Sequence, residues 1–398
     1  MALLGLIALA GKARAPTASA QEAAPTPSPH GNANCLMCHA DPDFKGHLPN
    51  GETISLFVDP ASYYQSVHAP AGLECLACHT QQKEYPHQTT AQVTCLECHD
   101  QLGGTVQTQR QPLSVQLFYP DARAVTLEAN EACRACHGEK FEESRDSAHA
   151  RVLAGGNRDA PACVDCHGSH DITPPDQPRA KISQTCAKCH WAVYTTYRTS
   201  VHGTALEAES NPDVPSCVDC HGVHNVRGPR DPAFRDDTVG ICGSCHGDKN
   251  RMDKYGVSTA VFQTYINDFH GRTVNFFRRE NPKIASNKAT CFDCHGIHNI
   301  RRPDDPLSTV YPANLQRTCQ QCHTDASLTF PEAWLKHYEP TLEHNPALFV
   351  VNTTYSMAIP ILIGGFLGYI ALDARRRFAE HRRDIKPSED DGDYDDEA

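Results

Sequence analysis

The sequence predicts a mostly α-helical and irregular chain with little β structure, built around a covalently bound group and ending in one transmembrane helix. Three observations lead there. All 20 cysteines fall in ten Cys-x-x-Cys-His pentapeptides; 28 Pro and 25 Gly among 398 residues make the chain loop-rich; and one uncharged apolar stretch near the C-terminus is long enough to span a bilayer.

The pentapeptides are CLMCH (Cys35, Cys38, His39), CLACH (Cys75, Cys78, His79), CLECH (Cys95, Cys98, His99), CRACH (Cys133, Cys136, His137) and CVDCH (Cys163, Cys166, His167). They continue as CAKCH (Cys186, Cys189, His190), CVDCH (Cys217, Cys220, His221), CGSCH (Cys242, Cys245, His246), CFDCH (Cys291, Cys294, His295) and CQQCH (Cys319, Cys322, His323). Two thiols three positions apart on a helical turn can each form a thioether to a haem vinyl group, while the next imidazole comes beneath the iron as axial ligand. Zinc knuckles share the Cys-x-x-Cys spacing but need two knuckles per metal and no adjoining His. With 23 His in the chain, ten adjoining His at ten sites select ten covalent haems c. No cysteine is left over for a disulfide, an iron–sulfur cluster or a nucleophile. From Cys35 to His323 the chain has 289 residues. That is roughly 29 per haem, so porphyrins replace side chains as the buried apolar bulk.

The remaining histidines fall into two contexts. One is a small or polar residue, any residue, then His, ahead of a pentapeptide: His68 (SVH), His149 (SAH), His202 (SVH) and His270 (DFH), with His337 (WLKH) placed similarly after the last site. The other is a His three residues after the proximal one, at His170, His224 and His298; His87 is a looser version. Together these form a repeat starting at Cys133, Cys186, Cys242 and Cys319, with Cys35 to His87 a diverged copy and Cys95 an unpaired extra site. Nine second ligands follow, and His47 is assigned as the tenth, with His344 in reserve for His47 or His337. His30, in the leader, and His381, beyond the apolar stretch, are not assigned. The three-residue spacing points a distal His away from its sequence neighbour's iron, and the pairings stay open at this point. Methionine is too scarce to be the usual sixth ligand, so bis-histidine sites are expected. Some of these histidines could instead be surface groups or partners of haem propionates.

Residues 347–372 are free of charge and about 39 Å long as a helix, enough to cross a bilayer. Arg375, Arg376 and Arg377 follow and mark the cytoplasmic side, which puts the haem region outside the cytoplasm. The apolar run from Ala2 to Ala10 followed by Ala18, Ser19 and Ala20 resembles a signal peptide, though without a basic start. The expected organisation is therefore a signal peptide (1–20), a flexible leader (21–34), a three-haem region (35–130), a seven-haem repeat region (131–346), the span (347–372) and an acidic cytoplasmic tail (373–398).

The doubled Cys-x-x-Cys-His sites, the CHGxH form at His167, His221 and His295, and the SxH elements resemble the multihaem c-type cytochromes with doubled motifs. The resemblance covers the chain to about His337. It implies low-spin bis-histidine haems in close pairs, forming a continuous electron path in the periplasm. Anchored members of that family resemble components of respiratory complexes. In the familiar quinol-dehydrogenase members the anchor precedes the haems. Here it follows them, which favours a separate membrane subunit as the quinol-oxidising partner.

The expected function is electron relay between a membrane redox subunit (a cytochrome b, an iron–sulfur or molybdenum subunit, or a reaction centre) and another redox protein such as a soluble cytochrome. The chain is expected to be an electron carrier or electron-transfer subunit rather than a self-contained enzyme. A net charge of −12 argues against nucleic acid as a partner. Two alternatives stay open: a reductase of a small nitrogen or sulfur compound, which needs one iron with an open face, and a subunit of an extracellular cytochrome filament.

Overall fold

The computed structural model describes residues 31–82, 114–281, 283–333, 337, 339–343 and 345–384. The architecture is mostly α-helical, with three short strands among the described residues. The predicted signal peptide and leader, His30, His87, the site at Cys95, Cys98 and His99, His344 and the end of the acidic tail lie outside the described residues. Two compact units are formed, one from Met1–Trp191 with Ser216–Arg227, the other from Ala192–Pro215 with Gly228–Ala398.

The first unit holds the sheet. The central strand β1 (Lys45–His47) pairs antiparallel with β2 (Thr53–Ser55) and parallel with β3 (Ser114–Gln116). Phe44, Leu48 and Leu117 are buried around it. Its helices are short, including Asn32–His39, Ala122–Arg134, Ala148–Ala154 and Ala180–Ala187. Helices this short are marginal by themselves and depend on what they pack against.

The second unit contains Val201–Glu207, Pro232–His246, Ala260–Asn267, Phe269–Glu280 and Pro312–Gln320. Its cluster of buried apolar side chains is Val239, Tyr265 and Val274, with Phe262, Ile266 and Cys291 against it. The buried carboxylate of Asp236 ties in the following loop, accepting from Ser286 N at 2.9 Å and Ser286 Oγ at 2.8 Å. So small a side-chain core accords with a fold that needs a bound apolar group to complete it.

The helix Pro346–Asp384 runs 39 residues, past the apolar stretch and through the arginines. It is long and apolar enough to cross a membrane. Pro360 lies inside it without ending it. Beyond the apolar stretch its surface is held by Arg377 paired with Asp373 and Arg376 with Glu380, each one turn apart.

Candidate haem sites

The sites are assembled from four local devices that recur along the chain. The first explains the SxH pattern. Ser147, Ser200 and Asp268 are helix N-caps, whose oxygens accept from Ala150 N (3.0 Å), Gly203 N (3.1 Å) and Gly271 N (2.8 Å). His149, His202 and His270 therefore sit at the second helical position, aimed by the capped turn. Each such cap contributes about 1 kcal/mol to its helix.

The second device is the glycine after the proximal His in CHGxH. Gly168, Gly222 and Gly296 have φ of 80°, 85° and 80°, with ψ near 180°, a region open essentially only to glycine. Asp171, Asn225 and Asn299 fold their side chains against these glycines, leaving no room for a Cβ. The chain thus reverses directly after the His of the pentapeptide. At Gly222 a Cβ would lie 2.6 Å from Asn225 Oδ1. Gly222→Ala is expected to destabilise the holoprotein by about 1–3 kcal/mol, read by denaturant titration; an unchanged midpoint would contradict this account.

Backbone bonds join these two devices. Val67 N donates to Ile172 O (2.8 Å), Ala148 N to Val226 O (2.7 Å) and Val201 N to Ile300 O (2.9 Å). In each case the residue just before one distal His is bonded to the carbonyl two residues after another. His68 is thereby held beside His170, His149 beside His224, and His202 beside His298.

The third device is a tyrosine three residues before the Ser or Asp of a (Ser/Asp)-x-His sequence. Tyr63 donates to Leu73 O, Tyr197 to Pro215 O at 2.5 Å and Tyr265 to Ala289 O at 2.8 Å. Each acceptor lies two residues before an attachment pentapeptide. All three rings are buried, and burial raises the Tyr63 and Tyr265 phenols above their ordinary value. Sequence reasoning missed this latch, although Tyr-x-x-(Ser/Asp)-x-His recurs at Tyr63, Tyr197 and Tyr265.

The fourth device is the aspartate in CVDCH, CVDCH and CFDCH. Asp165, Asp219 and Asp293 reach back to the N-cap amides of Ala162, Ser216 and Thr290 at 2.6–2.7 Å, closing the attachment turn. Each also pairs with an arginine, at Arg123, Arg179 and Arg235.

These devices bring proximal and distal histidines face to face. Within the first unit the ring centroids are 6.1 Å apart for His68 and His137, His79 and His170, and His149 and His190, and 6.2 Å for His167 and His224. Within the second they are 6.2 Å for His202 and His246, and 6.3 Å for His270 and His323 and for His295 and His337. An imidazole nitrogen lies about 2 Å from the metal it ligates, so two rings on opposite sides of one iron have centroids about 6 Å apart. The separations fit bis-histidine haem.

Ring orientation and protonation fit as well. His39 Nδ1 lies 2.8 Å from Leu56 O and His221 Nδ1 2.8 Å from Arg227 O, positions from which they can only donate, leaving Nε2 for a metal. Burial pushes His202 down to about 4, and His295, with His337 facing it, also to about 4. Burial likewise lowers His149, His167, His170, His246, His270 and His337. These imidazoles are neutral at physiological pH, which is the ligating form.

Not every predicted ligand is brought to a partner in the same way. His47 lies exposed on β1 with its Nδ1 3.4 Å from Thr53 Oγ1. His337 has φ of 60°, in the left-handed region, and its Nδ1 is 3.5 Å from Thr264 Oγ1. His298 follows the Gly296 reversal, in the place that His170 and His224 hold in their repeats.

The thiols place the attachment turns next to one another. In the first unit the free thiols of Cys35 and Cys75, of Cys133 and Cys163, and of Cys186 and Cys217 lie within hydrogen-bond reach of one another. Cys78 is within electrostatic range of Cys133 and Cys136, and Cys166 of Cys189. In the second, the free thiols of Cys242 and Cys291 lie within hydrogen-bond reach, and Cys294 is close to Cys319 and Cys322. Within each unit, consecutive described sites are spatial neighbours in chain order. Among the described residues no cluster of three or more His, Cys, Asp or Glu could hold a bare metal ion.

Paired thiols on a single turn, an imidazole directly after them and a second imidazole across a metal-sized gap define a multihaem c-type cytochrome. It is an electron-transfer protein carrying covalently bound haem c. The sequence model of the cytochrome c3 family matches residues 67–145 and 156–247, stretches that contain seven of the ten pentapeptides. No curated protein and no solved structure matches the chain.

Proposed function

We propose that the chain is a membrane-anchored decahaem cytochrome that relays electrons between a membrane redox subunit and another redox protein. The observation that carries this reading is the recurrence of facing imidazoles at 6.1–6.3 Å on attachment turns that neighbour one another in chain order. When bound, haem supplies a one-electron centre at each such pair. The chain's own contribution is to hold two imidazoles face to face at each site and, within each unit, to keep successive sites adjacent.

The proposed ligand sets are the seven facing pairs, with His298 as a further distal ligand by its equivalence to His170 and His224, and His47 and His87 completing the set. Ten closed irons leave no open face for a substrate, which favours a carrier over a reductase. The helix Pro346–Asp384 is proposed to cross the cytoplasmic membrane with the haem region on the periplasmic side. A quinol-oxidising, molybdenum or photosynthetic complex is then the neighbour in the bilayer, and a soluble cytochrome a partner outside it.

Intact-mass measurement on protein purified from membranes is expected to show ten porphyrin adducts, and electron paramagnetic resonance only low-spin ferric haem. A polypeptide without adducts would end this reading; one high-spin haem with turnover of a nitrogen or sulfur compound would replace the relay with a reductase.

A further inference from the structure

The recurring ion pairs on the attachment turns serve more than closure of a turn. Arg123 lies on the helix Ala122–Arg134, Arg179 is the cap residue of Ala180–Ala187, and Arg235 lies on Pro232–His246. Each of these helices carries the first attachment cysteine of a repeat: Cys133, Cys186 or Cys242. Each arginine reaches the aspartate of the second attachment turn, at 2.9 Å for Asp165, 2.6 Å for Asp219 and 2.7 Å for Asp293. The first sites' cysteines meet the second sites' cysteines beside these pairs, Cys133 with Cys163, Cys186 with Cys217 and Cys242 with Cys291.

Position gives the aspartate a second consequence. In Cys-x-Asp-Cys-His it adjoins one haem-bearing cysteine and stands two residues before the proximal ligand, so its charge acts on the iron at short range. Arg123 with Asp165 and Arg235 with Asp293 are partly buried, which limits solvent screening there, whereas Asp219, paired with Arg179, is exposed. Arg123 and Arg235 are held in place by other contacts. Arg123 also donates to Arg158 O and Ala160 O, each at 2.6 Å; Arg235 donates to Lys288 O at 3.2 Å, and its guanidinium lies 5.0 Å from the Phe292 ring centroid. In CLACH the equivalent position is Ala77, which carries no charge.

We propose that each Arg–Asp pair is a charge-neutral clamp that sets the reduction potential of the haem at the second attachment turn of its repeat. Arg123, Arg179 and Arg235 are its positioning residues. The inference rests on the haem reading above. A carboxylate alone stabilises the ferric form by its negative charge; the arginine cancels that bias while docking the second turn on the first site's helix.

The test is a double-mutant cycle on full-length holoprotein purified from membranes, read by spectroelectrochemical titration. Arg235→Met is expected to move about one tenth of the haem absorbance to lower potential, Asp293→Asn the same fraction to higher potential, and the double variant back towards wild type. Arg235→Lys, which keeps the charge without the planar fork, is expected to titrate near wild type. If both single variants shift in the same direction or neither shifts, or if Arg235→Lys shifts as far as Arg235→Met, the clamp is only structural. Loss of haem from Asp293→Asn, which keeps an acceptor for the Thr290 amide, likewise makes the clamp only structural. Haem content by mass separates the two failures: wild-type polypeptide without porphyrin sinks the haem reading, whereas full haem with unopposed shifts sinks this inference alone.

Discussion

Replacing His202 with alanine is expected to leave one haem with a single protein ligand. His202 faces His246 at 6.2 Å and is aimed there by the Ser200 cap. The cap survives the substitution, so the helix Val201–Glu207 keeps its start while the imidazole is lost. The expected readouts are one high-spin ferric haem per chain, carbon monoxide uptake by the reduced protein rising to about one per chain, and a stability loss of about 2–4 kcal/mol. A spectrum identical to wild type, with no carbon monoxide binding, would show that His202 is not a ligand. Ser200→Ala is a milder companion: it removes the cap oxygen from Gly203 N and is expected to cost about 1 kcal/mol, with ligation retained.

Ending the chain before Pro346 is expected to transfer the protein from the membrane fraction to the soluble fraction with its visible spectrum unchanged. The helix from Pro346 presents Leu348, Val350, Val351, Ile359, Ile361, Leu362, Ile363, Phe366, Leu367, Ile370 and Leu372 exposed. In water that surface would be costly; in lipid it is at home. His337 lies upstream of the cut, so the His295 site keeps its facing imidazole. Fractionation followed by a haem stain checks both halves of the expectation. A truncated chain that still pellets with membranes and resists high salt would show that anchoring lies elsewhere.

Much of the site was legible in local sequence because the chemistry is local. One turn carries both cysteines and an imidazole, so the pentapeptide is contiguous and visible in the sequence. The contexts of the facing imidazoles were visible for a related reason: SxH is an N-cap two residues before the His, and CHGxH is a glycine reversal directly after the His of the pentapeptide. Both are short-range backbone devices that leave a mark in spacing. Loop-rich composition and the uncharged C-terminal stretch indicated the fold class in the same way. His47 shows where local reading ends. A histidine between Gly46 and Leu48 gives no sign that it sits on the central strand of a small sheet, because β3, its parallel partner, lies nearly seventy residues away.

The Tyr265 latch and the Arg235 clamp were overlooked for a different reason. Tyrosine, arginine and aspartate each have many ordinary roles, and only a contact across 24 or 58 residues distinguishes these from surface groups. The pairings have the same character. His170 answers His79, and His68 answers His137. Spacing along the chain says only that a distal imidazole points away from its neighbour's iron.

The sequence by itself shows where the Cys-x-x-Cys-His pentapeptides stand, which histidines recur in the SxH and CHGxH contexts and which segment is apolar enough for a membrane. Those are properties of a few adjacent residues, specified by covalent geometry and backbone preference. Tertiary structure alone decided which imidazole faces which, which thiols meet, and which carboxylate each arginine neutralises. These depend on closing loops of tens of residues, and the bonds that close them, such as Val201 N to Ile300 O, join groups every residue possesses.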